Sequence, residues 1–141
     1  MRIIKFRGKT KYGKWAYGYL TERANGLCID RNYAKDERNN EDPNFDVYAC
    51  PYVIPETMGQ FTGLRDKDGR EIYEGDIVRW LFMRVCEMKG EVVFDSIMGC
   101  FVVYETDSSN KTQRRWINDL NGIKVIGNIH DNPELLKGGE Q

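Results

Sequence analysis

The sequence predicts a mainly β protein, with an α+β arrangement as the alternative. Three observations lead there. Aromatic residues make up 12% of the chain and gather with β-branched residues in short alternating runs, the chemistry of a half-buried pleated surface. Fourteen glycines in 141 residues suit many tight turns. Residues 60–80, QFTGLRDKDGREIYEGDIVRW, compress three strands and two glycine corners into one run. Closely spaced strands joined by sharp corners hide their edges by bending into small barrels. The expected architecture is therefore a small SH3-like barrel of bent antiparallel strands over residues 55–136. It packs on an N-terminal β-meander over residues 1–54, within one domain spanning 1–141.

Taken in order, residues 2–7 read as the first strand, with Ile4 and Phe6 on one face. Residues 9–13 are a polar turn. Residues 14–20 alternate cleanly, so Trp15, Tyr17 and Tyr19 share one face and the small Ala16 and Gly18 line the other. Asn25-Gly26 signals a hairpin into a short strand over residues 27–29. Residues 30–44 are charged and Asn-rich and read as a long exposed loop, with room for a helical turn near residues 34–38. Strand chemistry returns over residues 45–54, where Pro51 implies an edge or a bulge.

In the central run, Phe61, Thr62 and Leu64 favour a strand, with Gly63 among the turn-forming residues. Asp66, Asp68 and Gly69 reverse the chain. An Asp side chain bonds its own backbone two residues on, and Gly69 reaches positive φ without a Cβ clash. Residues 70–73 return as the partner strand. Gly75 and Asp76 make the next corner, into a strand running to residue 85. Residues 86–90 read as a connection. Residues 91–94 and 100–104 form a hairpin over 95–99. Residues 114–117 make a short strand and residues 123–129 the last one. Asp131 or Asn132 caps a short C-terminal helix with Pro133 in its first turn, ahead of a frayed tail at 137–141.

Lys and Arg number 21 against 22 Asp and Glu, so global charge selects no partner class. No apolar run approaches the length of a membrane span, and the basic start has no apolar core of a secretory signal. The expectation is a cytoplasmic protein that makes no membrane contact. Cys28, Cys50, Cys86 and Cys100 show no paired spacing and His130 is the single histidine. Structural zinc needs closely spaced ligands, so no metal is expected, and the thiols are expected reduced. Asp66 and Asp68 sit as in a calcium loop, but positions six and twelve of that loop hold Glu71 and Ile77 instead of Gly and Glu. With no catalytic constellation around His130 and no phosphate-binding glycine motif, neither an enzyme nor a bound cofactor is expected.

Residues 60–64, 66–69 and 72–78 resemble the YopX family of phage and prophage proteins. Residues 4–7, 125–129 and 132–136 extend the similarity to both ends. The resemblance implies a mostly β protein carried on mobile DNA in a bacterial host, and brings no catalytic residues.

Local charge supplies the remaining signal. Lys5, Arg7, Lys9, Lys11 and Lys14 interleave with Trp15 and Tyr17. Cations meet phosphates while aromatic faces stack bases, as in single-strand binders. A lysine-protected edge strand accounts for the same pattern. Lys111, Arg114 and Arg115 beside Trp116 form a second basic group. Two roles follow: a non-enzymatic module engaging a phage or host protein, and a nucleic-acid-binding accessory protein. An edge strand also offers a route to self-association.

Overall fold

A computed structural model describes residues 2–31, 36–43, 49–106 and 112–137. The described residues are mainly β and contain ten strands: β1 Phe6–Lys9, β2 Trp15–Arg23, β3 Gly26–Asp30, β4 Gly59–Arg65, β5 Glu71–Tyr73, β6 Asp76–Phe82, β7 Cys86–Asp95, β8 Cys100–Thr106, β9 Thr112–Arg115 and β10 Lys124–Asn128. Two antiparallel sheets have the orders β3-β2-β1-β4-β5 and β10-β6-β7-β8-β9. The chain divides into two compact units, residues 1–61 and 62–141.

In the first unit, alternation along β2 points Ala16 and Gly18 into the core and Trp15 and Tyr17 the other way. Ala16, Ile29 and Val53 form that core, with Phe6, Leu27 and Met58 against it. Gly18 is inward because the β3 backbone crosses it: a Cβ there would lie 2.0 Å from the Asp30 carbonyl oxygen. β1 begins at Phe6, later than expected, and Ile3 and Ile4 are exposed. Its pairing with β2 runs Phe6↔Gly18 to Lys9↔Trp15.

The exposed loop expected over residues 30–44 is corrected where it is described. Glu37–Glu41 is a 3-10 helix capped by Asp36, whose carboxylate accepts from Arg38 N–H and whose C=O accepts from Asn39 N–H. Asn39 is buried: its amide oxygen accepts from Tyr17 N–H at 2.9 Å and its amide nitrogen donates to Tyr17 C=O at 2.8 Å. β3 stops pairing at Tyr19↔Asp30, and the Asn39 amide stands in for the next strand residue. Arg31 and Asp42 form a buried pair at 2.9 Å. Residues 32–35 and 44–48 lie outside the described residues, and with them part of the helical turn expected near 34–38 and the start of the 45–54 strand. Beyond them, Tyr52 bridges Cys28 beside the outer edge of β3.

The second unit follows the central run closely. The Asp66 carboxylate accepts from Asp68 and Arg70 N–H, each at 2.9 Å, and Gly69 sits at φ 84°. At the next corner Gly75 has φ 93° and Asp76 accepts from Tyr73 N–H at 2.7 Å. Gly63 makes no turn: it lies inside β4 at φ 88°, a local kink in the strand. A Cβ on Gly69 would meet nothing, so Gly69→Ala isolates the backbone term and is expected to cost about 1–2 kcal/mol. Denaturant midpoints matching the parent would overturn that turn geometry.

The hydrophobic core of this unit gathers Ile72, Val78, Trp80, Val92, Val103, Ile117, Ile123 and Val125. Its sheet is open, so the expected closed barrel is corrected. Closure needs β9 to meet β10, but β9 ends at Arg115 and the chain leaves the sheet in the 3-10 helix Ile117–Asp119. β10 is covered instead by the central turn: Val125 N–H donates to the Asp66 carboxylate at 3.0 Å and Lys67 N–H to Ile123 C=O. Residues 86–90, expected as a connection, are strand, so β6 and β7 form one long hairpin. The expected C-terminal helix is only a 3-10 turn, Pro133–Lys137. Five residues ahead of Gly138-Gly139 fall short of a stable helical nucleus. In the turn ahead of it, Asn128 accepts from His130 and Asp131 N–H, and Asn132 accepts from Asn128 N–H.

Candidate functional site

The basic N-terminal residues are largely committed within the chain. Arg7 and Lys9 of β1, with Lys5 just before it, point to the face opposite the core, beside Trp15 and Tyr17 of β2. Arg7 is only 5% exposed, with its guanidinium 4.8 Å from the Trp15 ring centre. The Lys9 ammonium lies 5.8 Å from the same ring. Arg38 stacks on Tyr17 at 3.8 Å. Lys5 approaches the Phe61 ring at 5.7 Å and pairs with Asp36 at 3.2 Å. Each contact is a cation held over an aromatic face. Burial acts to raise the Asp36 carboxyl, but bonds from Arg38 and the charges of Arg38 and Lys5 outweigh it and hold the carboxyl at about 2. The interleaved pattern is therefore first of all an internal ladder. Only Lys11 and Lys14, at the β1–β2 turn, are exposed among the five basic candidates.

A different surface emerges in the second unit. The tip of the β6–β7 hairpin, residues 83–85, places Met83 at φ 54° and Arg84 at φ 66°. Neither is glycine, Asn or Asp, so both carry backbone strain of about 1–2 kcal/mol. Met83 and Val85 are 76% and 80% exposed, and Phe82 beside them is also exposed. Opposite the tip, Ile117 is buried in the core and starts the 3-10 helix, which leaves Trp116 before it 50% exposed. Leu81 N–H donates to Asn121 C=O at 3.0 Å and fixes the floor. The result is a cleft of about 560 Å³ between residues 80–84 and 114–121.

Its arginines are held from behind. Arg114 Nε pairs with Asp95, and Tyr104 donates its hydroxyl to the same carboxylate at 2.9 Å. Met98 N–H leads the groups that hold the Asp95 carboxyl below its ordinary range; Tyr104, Ile97 N–H and Arg114 add to this against burial. Arg115 Nε donates to the buried Glu105 at 2.7 Å. Arg114 and Arg115 are thus paired with Asp95 and Glu105, and the cleft lining also holds Arg84 and Asp119. Charge near balance around exposed apolar groups describes a surface for a protein chain better than a phosphate track. The Arg114–Trp116 group was visible in the sequence. The hairpin tip was not, because Met83-Arg84 carries no turn signal.

No group of three or more His, Cys, Asp and Glu among the described residues is placed to hold a metal ion. No helix there is long and apolar enough to cross a membrane. The YopX protein family model matches residues 5–137. The chain is similar to the solved structure of protein EF1440 from Enterococcus faecalis, at 27% identity and a TM-score of 0.52, covering 96% of this chain and 99% of that one. No curated protein matches it.

Proposed function

Since the chain belongs to the YopX protein family, we propose that it is a non-enzymatic binding module of phage or prophage origin that engages a protein partner in the bacterial cytoplasm. The cleft of the second unit supports this reading. Its rim pairs a strained, exposed Met83-Arg84 tip with the Trp116 ring. Strain held at an exposed tip is a recurrent mark of function. Trp and Arg are also the residues that dominate binding energy at interfaces.

The test is capture from host lysate on immobilised protein, after nuclease treatment. Trp116→Ala and Met83→Asp are each expected to lose about 2 kcal/mol or more of partner affinity, with melting temperatures unchanged. Capture indifferent to both substitutions would sink the reading. The exposed Lys11, Lys14 and Tyr12 at the β1–β2 turn keep a second reading, nucleic-acid binding by the N-terminal strands. It predicts retention that vanishes with nuclease and falls steeply with salt.

A further inference from the structure

Along the outer edge of β3 runs an extended segment that is not a full strand. Arg31 N–H donates to Ala49 C=O at 2.8 Å, Ile29 N–H to Pro51 C=O at 3.1 Å, and Val53 N–H to Leu27 C=O at 3.0 Å. Cys28 stands directly opposite Tyr52 in this antiparallel register. Cys50, two residues from Tyr52, therefore projects to the same face as Cys28, at the diagonal position. Cys28 is completely buried, whereas Cys50 is partly open to solvent in the wall of a groove of about 460 Å³. Cys86 and Cys100 share no such relation. Cys86 starts β7, whereas Cys100 starts β8 and faces Asp95 at the far end of β7, roughly 30 Å of strand away.

We propose that Cys28 and Cys50 are an oxidisable thiol pair that closes to a disulfide when a hydroperoxide reaches the groove. Cys50 reacts first, because it is the accessible member. Its thiolate sulfur attacks the O–O bond, which breaks, giving a Cys50 sulfenic acid and releasing the second oxygen as alcohol or water. The Cys28 sulfur then displaces the hydroxyl from Cys50. The S–S bond forms, the S–O bond breaks, and the Cys28 proton leaves with the hydroxyl as water. The two sulfurs together give up two electrons, which reduce one peroxide. Burial and the adjacent Cys50 push the Cys28 thiol above its ordinary value, against the pull of Arg23, which suits the slower, resolving partner.

Diagonal strand neighbours have Cα atoms about 7–8 Å apart, and a disulfide needs about 7 Å or less. The segment carrying Cys50 must therefore move inward by about an ångström. Three backbone hydrogen bonds and one isolated bridge tie it to β3 in place of a full ladder, and Pro51 offers no further N–H against the shift. Closure fastens the groove wall formed by Cys50, Pro51 and Tyr52 to β3. It also closes a covalent loop around Asn39, whose amide covers the β2 edge.

The experiment uses the full chain with Cys86→Ser and Cys100→Ser, leaving the pair alone. Reduced protein receives one equivalent of hydrogen peroxide, then N-ethylmaleimide, followed by non-reducing peptide mapping. The expected result is loss of both thiols per peroxide, a linked 28–50 peptide in monomeric protein, and a melting temperature raised by about 5 °C or more. Dithiothreitol is expected to restore both thiols. Cys50→Ser in the same background is expected to leave Cys28 unreacted and alkylatable after denaturation. A Cys50 sulfinic acid beside a free Cys28, a disulfide between two chains, or two unreacted thiols would each overturn the proposal.

Discussion

Gly18→Ala is expected to disable the first unit. The added methyl would sit 2.0 Å from the Asp30 carbonyl oxygen, 2.9 Å from its carbon and 3.3 Å from Ile29 Cγ2. The nearest obstacles are backbone atoms, so no rotamer change relieves them. β2 and β3 must separate, and their separation opens the core of Ala16, Ile29 and Val53. The expected loss is about 4 kcal/mol or more, above the roughly 1–3 kcal/mol usual for overpacked cores because backbone has to move. Soluble yield and thermal melts check it. Gly13→Ala is the companion measurement. Gly13 has φ 80° and open space around its Cβ, so it is expected to cost only about 1 kcal/mol. Equal melts for the two variants would remove the close approach as the cause.

Asp66→Ala is the second large effect. The carboxylate is 7% exposed and accepts three backbone N–H bonds, from Asp68, Arg70 and Val125. Without it the Val125 donor is left buried and unsatisfied, and the turn loses its internal brace. Bonds to a charged acceptor contribute about 1.5–3 kcal/mol each, and water can replace the two in the turn. A net cost of about 3–5 kcal/mol is expected. Burial acts to raise this carboxyl, but the Val125, Arg70 and Asp68 N–H groups together lower it. A depressed folded value means that the stabilisation is complete above the unfolded carboxyl's range near pH 4, and is lost as pH falls through the folded value. Urea midpoints of the parent are therefore expected to drop below about pH 4 more steeply than those of Asp66→Asn. The amide keeps one acceptor but turns a donor group toward other donors, and it does not titrate.

The corners at Gly69 and Gly75 were legible because each uses a residue type that few other conformations require. The β6–β7 hairpin was not. Met83 and Arg84 adopt left-handed backbone without a residue that favours it, so residues 77–85 read as one strand and 86–90 as a connection. Sheet closure was equally hidden. Strand signals act between neighbours, whereas closure depends on tilt and stagger summed over the whole sheet. The N-terminal cations were seen, but not their use. That depends on register, which sets Lys9 opposite Trp15 and Arg7 opposite Tyr17. Asn39 looked like one more polar loop residue. Only its position beside Tyr17 reveals an amide serving as a length of backbone.

The return of β10 to β6 has a consequence for synthesis. In the second sheet β7, β8 and β9 pair in the order in which they are made, each with the strand before it. β10 is the exception, and its tie to Asp66 spans 59 residues. While the chain emerges from the ribosome, β6 carries an open outer edge and Asp66 lacks its third donor until Val125 arrives. At about 5–20 residues per second, that interval lasts a few seconds. Throughout it, the nascent sheet exposes an apolar strand edge to neighbouring chains, and the last strand made is the one that closes it.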